Sequence, residues 1–148
     1  MITEAEFQNK LSILNERVAE ACSASNRPVE EVKILPVTKN WCAKAVLYSQ
    51  RAGFLSVGEN RVQEAIEKQK EVQDMNWDLI GHLQSNKAKI VVGKFSRIQT
   101  VDSIKLLAKL NDASDKLKLK TNILIQVNTG KDPAKKGILE EQCEEFIE

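Results

Sequence analysis

A single histidine, His82, and three cysteines leave this 148-residue chain few ways to hold a metal ion. One imidazole excludes a multi-histidine centre, and Cys22, Cys42 and Cys143 lie too far apart for a zinc ribbon. Their odd number argues against a disulfide framework and favours a reducing, cytoplasmic compartment. An excess of charge is missing too: 22 basic against 21 acidic residues give a formal net charge of +1. No global field draws in nucleic acid or a membrane surface. No apolar run is long enough to span a bilayer. Glu4, Glu6, Lys10, Glu16 and Arg17 near the start are incompatible with a signal peptide. No phosphate-loop or dinucleotide glycine fingerprint follows the first strand-like stretch, which weighs against the nucleotide-binding open sheets.

What is present is a soluble globular composition, 42% apolar and 29% charged, long enough for one domain with a core. Thr3-Glu4-Ala5-Glu6 is a capping-box pattern, and Phe7, Leu11, Leu14 and Val18 recur behind it at helical spacing. After the Ser25-Asn26-Arg27-Pro28 turn a strand–helix rhythm begins. Strands are predicted at 32–38, 54–57, 77–80, 98–101 and 122–127. Helices are predicted at 42–52, 61–72 and 85–92, then after Asp102 or Ser103, and from about Leu139 to Glu148. Such alternation implies parallel pairing and an α/β fold. The pattern predicts a (β/α)₈ TIM-barrel type with an extra N-terminal helix, of which five βα units are present. A whole barrel takes about 250 residues, so residues 1–148 are expected to form a single barrel domain truncated at its C-terminal side. An open barrel exposes an apolar interior and unpaired strand edges, so a second copy or the remaining strands should cover it.

In barrels the chemistry gathers at the C-terminal ends of the strands. Here those ends carry Lys39, then Glu59 and Asn60, then 81–87 with His82, then Asp102 and Ser103, then Asn128, Thr129 and Gly130. Lys39 closes an apolar run, where desolvation favours a neutral amine able to attack a carbonyl. The common alternative is a lysine that merely leaves the core for water. Asp102, Ser103 and Ser85 read as helix caps. Asn60 either caps its helix or bonds a ligand at the barrel mouth. His82 is a structural or exposed residue unless a partner makes it a base. Lys87 in a first helical turn opposes the dipole, which hints at an anionic partner. Lys135 and Lys136 are solvated charges, or hold a phosphate or carboxylate.

The stretches LPVTK (35–39), VGENRVQEAIEK (57–68), WDLIGHLQSNKAK (77–89), TVDSIKLLAKLN (100–111) and ILIQVNTGKDPAKKGI (123–138) resemble the pyridoxal 5′-phosphate (PLP) homeostasis proteins, relatives of the N-terminal barrel domain of alanine racemase. The resemblance implies a cytoplasmic PLP-binding protein of vitamin B6 homeostasis, with PLP held as a Schiff base on Lys39. It implies Asn60, His82 and Lys135 as further cofactor-binding residues, no catalytic or metal-binding residues, and PLP-dependent apo-enzymes as partners. The alternatives are a PLP-dependent racemase or decarboxylase, and a barrel fragment that binds nothing. Two departures stand out. Pro36 replaces a small residue and suits an edge or irregular strand. Asn40-Trp41-Cys42 follows Lys39 where the family often has a second lysine. The family's phosphate-binding stretch belongs to later βα units.

Overall fold

The computed structural model describes residues 2–147. Helix α1 (Glu4–Ala24) opens on the predicted box: the Glu6 N–H donates to Thr3 Oγ1 at 3.2 Å, and the Thr3 N–H donates to Glu6 Oε2 at 2.7 Å. Four parallel strands follow: β1 (Ser56–Glu59), β2 (Asn76–Leu79), β3 (Arg97–Val101) and β4 (Asn122–Ile125). They lie side by side in chain order, β1-β2-β3-β4. Helices α2 (Ala43–Arg51), α3 (Val62–Glu71), α4 (Ala88–Val91), α5 (Ile104–Leu117) and α6 (Cys143–Ile147) alternate with them. A doubly wound sheet reverses its order at a switch point, and this one does not. Sequential parallel order with a helix in each crossover is barrel architecture.

The first predicted strand is corrected. Of residues 32–38 only Val37 pairs, as an isolated parallel bridge to Gly58. The Gly58 N–H donates to Pro36 O at 2.8 Å, and the Thr38 N–H to Gly58 O at 3.1 Å. Extending the ladder backwards would need an N–H from Pro36, and proline has none. At the other end β4 stops at Ile125, and Val127 bridges Ile138, a pairing the sequence did not announce. The predicted helix 85–92 divides into a 3₁₀ turn (Ser85–Lys87) and the short α4. The last helix is likewise a 3₁₀ turn (Glu140–Gln142) running into α6, and Glu148 lies outside the described residues.

Alternation along the strands separates two faces. Val57, Trp77, Leu79 and Ile98 are buried against Val46, Ala65, Val91, Leu106 and Leu110 from the helices. The opposite face, the interior side of a barrel, was expected to be apolar and is mixed. Gly58 meets Leu35 and Ile80 there. Asp78, only 1% exposed, accepts from Arg97 Nε at 3.0 Å and from Gln99 Nε2 at 2.7 Å.

Candidate functional site

Three of the predicted residues stand on one rim. Lys39 ends the Val37 bridge segment, Asn60 follows β1, and His82 lies three residues beyond β2. Main-chain contacts hold these neighbours together. The Ile80 N–H donates to Glu59 O at 2.9 Å. A Cβ on Gly81 would lie 2.0 Å from Asn60 O, so only glycine permits this approach. Thr100 Oγ1 donates to Gly81 O at 2.7 Å.

Lys39 is exposed, so the predicted desolvation by the apolar run is not found. The run ends at the half-exposed Val37, which cannot enclose an amine two residues on. Lys39 occupies the second position of a turn closed by the Trp41 N–H on Thr38 O at 3.1 Å. Asn40, third in that turn, has φ 63°, the left-handed geometry that asparagine accepts more readily than most residues. Beneath the turn lies a buried ion cluster. Lys68 of α3 is 5% exposed and Glu59 0%. The Lys68 ammonium donates to Thr38 O at 2.8 Å, Glu59 Oε1 at 2.6 Å and Glu64 Oε1 at 2.7 Å. Thr38 Oγ1 donates to Glu59 Oε1 at 2.7 Å, and the Asn40 N–H to Glu64 Oε1 at 2.7 Å. Burial raises the Glu64 pKa, but the hydrogen bonds from Lys68 and Asn40 outweigh it and hold the carboxyl below its ordinary value.

Asn60 does not cap α3: Arg61 occupies that position, without a side-chain hydrogen bond. The Asn60 side chain is exposed at the mouth. His82 does have a partner, since its Nδ1 lies 3.0 Å from Asp102 Oδ2. Asp102 is therefore corrected from helix cap to histidine partner, and Ser103 alone caps α5, accepting the Leu106 N–H at 3.3 Å. Ser85 caps nothing; Gln84 precedes the 3₁₀ turn. Beside Asp102 and Ser103 a cleft of about 250 Å³ opens between Ile104, Ile138 and Phe146. Lys135 is exposed in the loop after β4 that returns from Val127 to Ile138. That loop is stitched by Asn128 Nδ2 to Asp132 O at 2.8 Å and Gln126 Nε2 to Lys136 O at 2.9 Å.

The sequence reading missed Thr38, Glu64 and Lys68. Glu64 and Lys68 share the i,i+4 spacing of an ordinary surface pair, and only the packing of α3 on β1 turns that pair inward.

Residues 11–148 match the family model described as alanine racemase, N-terminal domain. The pyridoxal phosphate homeostasis protein of Haemophilus influenzae is 37% identical over 140 residues, covering 92% of this chain and 59% of that protein. The chain thus spans about three-fifths of the length of such relatives. PipY of Synechococcus elongatus PCC7942, solved with PLP bound, superposes with a TM-score of 0.68 at 37% identity, covering 84% of this chain and 57% of that one. An alanine racemase of Clostridium difficile 630 has a TM-score of 0.69 at 18% identity, covering 80% of this chain and 32% of that one, which shows the shared barrel fold alone.

Proposed function

Because the chain belongs to the family of the alanine racemase N-terminal domain, we propose that it binds PLP covalently through Lys39 and serves PLP homeostasis rather than catalysis. One observation carries the reading: the turn bearing Lys39 is held on both sides from below, while its amine stands exposed on the rim with no side-chain partner among the described residues. The residues present fit the aldehyde end of the cofactor. That aldehyde condenses reversibly with an amine, which suits storage and release. Lys39 supplies the amine, Asn60 an amide free to donate or accept, and His82 an imidazole held through Nδ1 by Asp102. Lys135, exposed in its loop, offers a charge to the phosphate. PipY with PLP bound supports the assignment by likeness.

A racemase or decarboxylase needs an acid/base group facing the cofactor. The only tyrosine, Tyr48, lies in α2 with its ring 6.2 Å from that of Phe7 in α1, away from the rim. On the rim itself His82, held by Asp102, is a candidate for that group, so the carrier role, with PLP-dependent apo-enzymes as recipients, rests on the likeness to the PLP homeostasis proteins. Among the described residues no disulfide joins Cys22, Cys42 and Cys143, which supports a cytoplasmic setting. No helix of the described residues is long and apolar enough to cross a membrane. We also infer a homo-oligomer through the uncovered side of the sheet.

The test is the intact mass before and after PLP addition and borohydride reduction, with peptide mapping. One pyridoxyl label on Lys39, absent from Lys39→Ala, is the expected result, with alanine racemisation no faster than that by free PLP. No label, or labels scattered over many lysines, overturns the assignment.

A further inference from the structure

On the reading that Lys39 carries the cofactor, we infer that Glu64 and Lys68 are positioning residues which, through the buried Glu59, fix the main chain on either side of Lys39 and so aim its amine. The need for them is visible in the strand. The bridge segment has two ladder hydrogen bonds, to Gly58, and they end at Thr38. Past that point no sheet partner holds the backbone, yet Lys39 comes next. The ion cluster takes over where the ladder stops. Lys68 spends one of its three donors on Thr38 O, the same carbonyl that closes the turn with the Trp41 N–H. Glu64 accepts the Asn40 N–H on the other side. The two residues flanking Lys39 are thus tied to one ammonium and its carboxylates.

Stability is a poor reason for such a cluster. Packed apolar side chains of similar volume commonly serve a core as well as a buried ion pair does. Glu59 Oε2 is moreover buried without a hydrogen-bond partner among the described residues, a cost that packed apolar side chains would not carry. Holding two backbone groups at set points is something apolar residues cannot do. On a loose turn the base of the Lys39 side chain would wander as well as its tip; with the turn fixed, the amine searches the rim from one base point and reaches a bound carbonyl at a lower entropic cost.

Lys68→Met would strand Glu59 and risks unfolding, so Glu64 is the residue to change. Its side chain is 23% exposed, and its removal leaves the Lys68–Glu59 pair in place. Three forms of the chain are compared: unchanged, Glu64→Ala and Glu64→Gln, the last keeping an oxygen for Asn40. Two quantities are read: hydrogen exchange of the Asn40 amide without PLP, and the share of borohydride-trapped pyridoxyl label on Lys39 at limiting PLP. A urea titration establishes that each form is folded. Loss of a charge-assisted hydrogen bond predicts about tenfold faster Asn40 exchange in Glu64→Ala. The label on Lys39 falls several-fold toward the background of other lysines, and Glu64→Gln restores most of both. The inference is overturned if Glu64→Ala exchanges Asn40 at the unchanged rate, or if Asn40 loosens while Lys39 labels as before. If the unchanged chain takes no label on Lys39, the cofactor assignment has failed, and Asn40 exchange alone then decides whether the cluster holds the turn.

Discussion

At the scale of single residues, Glu64 is the more exposed of the two carboxylates in the rim cluster. Its folded-state pKa lies below the ordinary 4.5 because the hydrogen bonds from Lys68 and Asn40, with the charges of Lys68 and Arg61, outweigh the effect of burial. The unfolded chain therefore takes up this proton first as pH falls. The stability contributed by the ionised carboxylate is complete above the ordinary value and is lost as pH drops through the lower, folded-state value. Urea midpoints of the unchanged chain and of Glu64→Gln should differ by a constant amount at neutral and mildly acid pH. The gap should close below about pH 4.5, near the ordinary carboxylate range. A gap that stays the same down to pH 3 would mean that Glu64 is not the ionised partner of Lys68 and Asn40.

Among the elements, close approach rather than hydrophobicity joins β1 to β2 at the rim. Gly81 has an ordinary φ, so its value lies in the missing Cβ, which would strike the Asn60 main chain. Gly81→Ala should cost about 3 kcal/mol by forced overpacking, and it should move Asn60 as well. Gly130→Ala, with nothing within 4 Å of the added carbon, should stay within about 0.5 kcal/mol. Chemical denaturation of both variants checks the contrast, and equal losses would sink it. This also shows where the sequence was readable. Strands β1 to β4 were found because their apolar runs were short and bounded by turn residues. Lys39, Asn60 and His82 could be placed on one rim because the strands before them were legible; that they bind PLP is the proposal made above. The Val37 bridge was overread as a strand, although Pro36 carried the reason against it. Asp102 reads as a cap in sequence because a carboxylate before a helix ordinarily is one; its histidine partner comes from the loop after the neighbouring strand β2, which local pattern cannot show. The same holds for Lys68, whose charge in a helix suggests solvent until β1 is packed beneath it.

At the scale of the whole molecule, the two sides of the sheet are unequal. Helices bury one face, as a parallel sheet requires, while the other mixes apolar side chains of intermediate or high exposure with the buried Asp78. On that open side Leu124 is 46% exposed, and Leu35 and Ile80 are partly so. The Asp78–Arg97–Gln99 group beside them is polar and already satisfied, so it tolerates water better than the leucines do. Apolar strand surface of this kind, with edges unpaired, is the ground for the second copy proposed above. Sedimentation velocity over a micromolar concentration series should show reversible association, weakened by Leu124→Lys. Ile104 is more exposed, at 55%, but stands on helix α5, so Ile104→Lys should leave association unchanged. Equal weakening by both would point to general stickiness. A monomer at every concentration would overturn the inference of a second copy on this face.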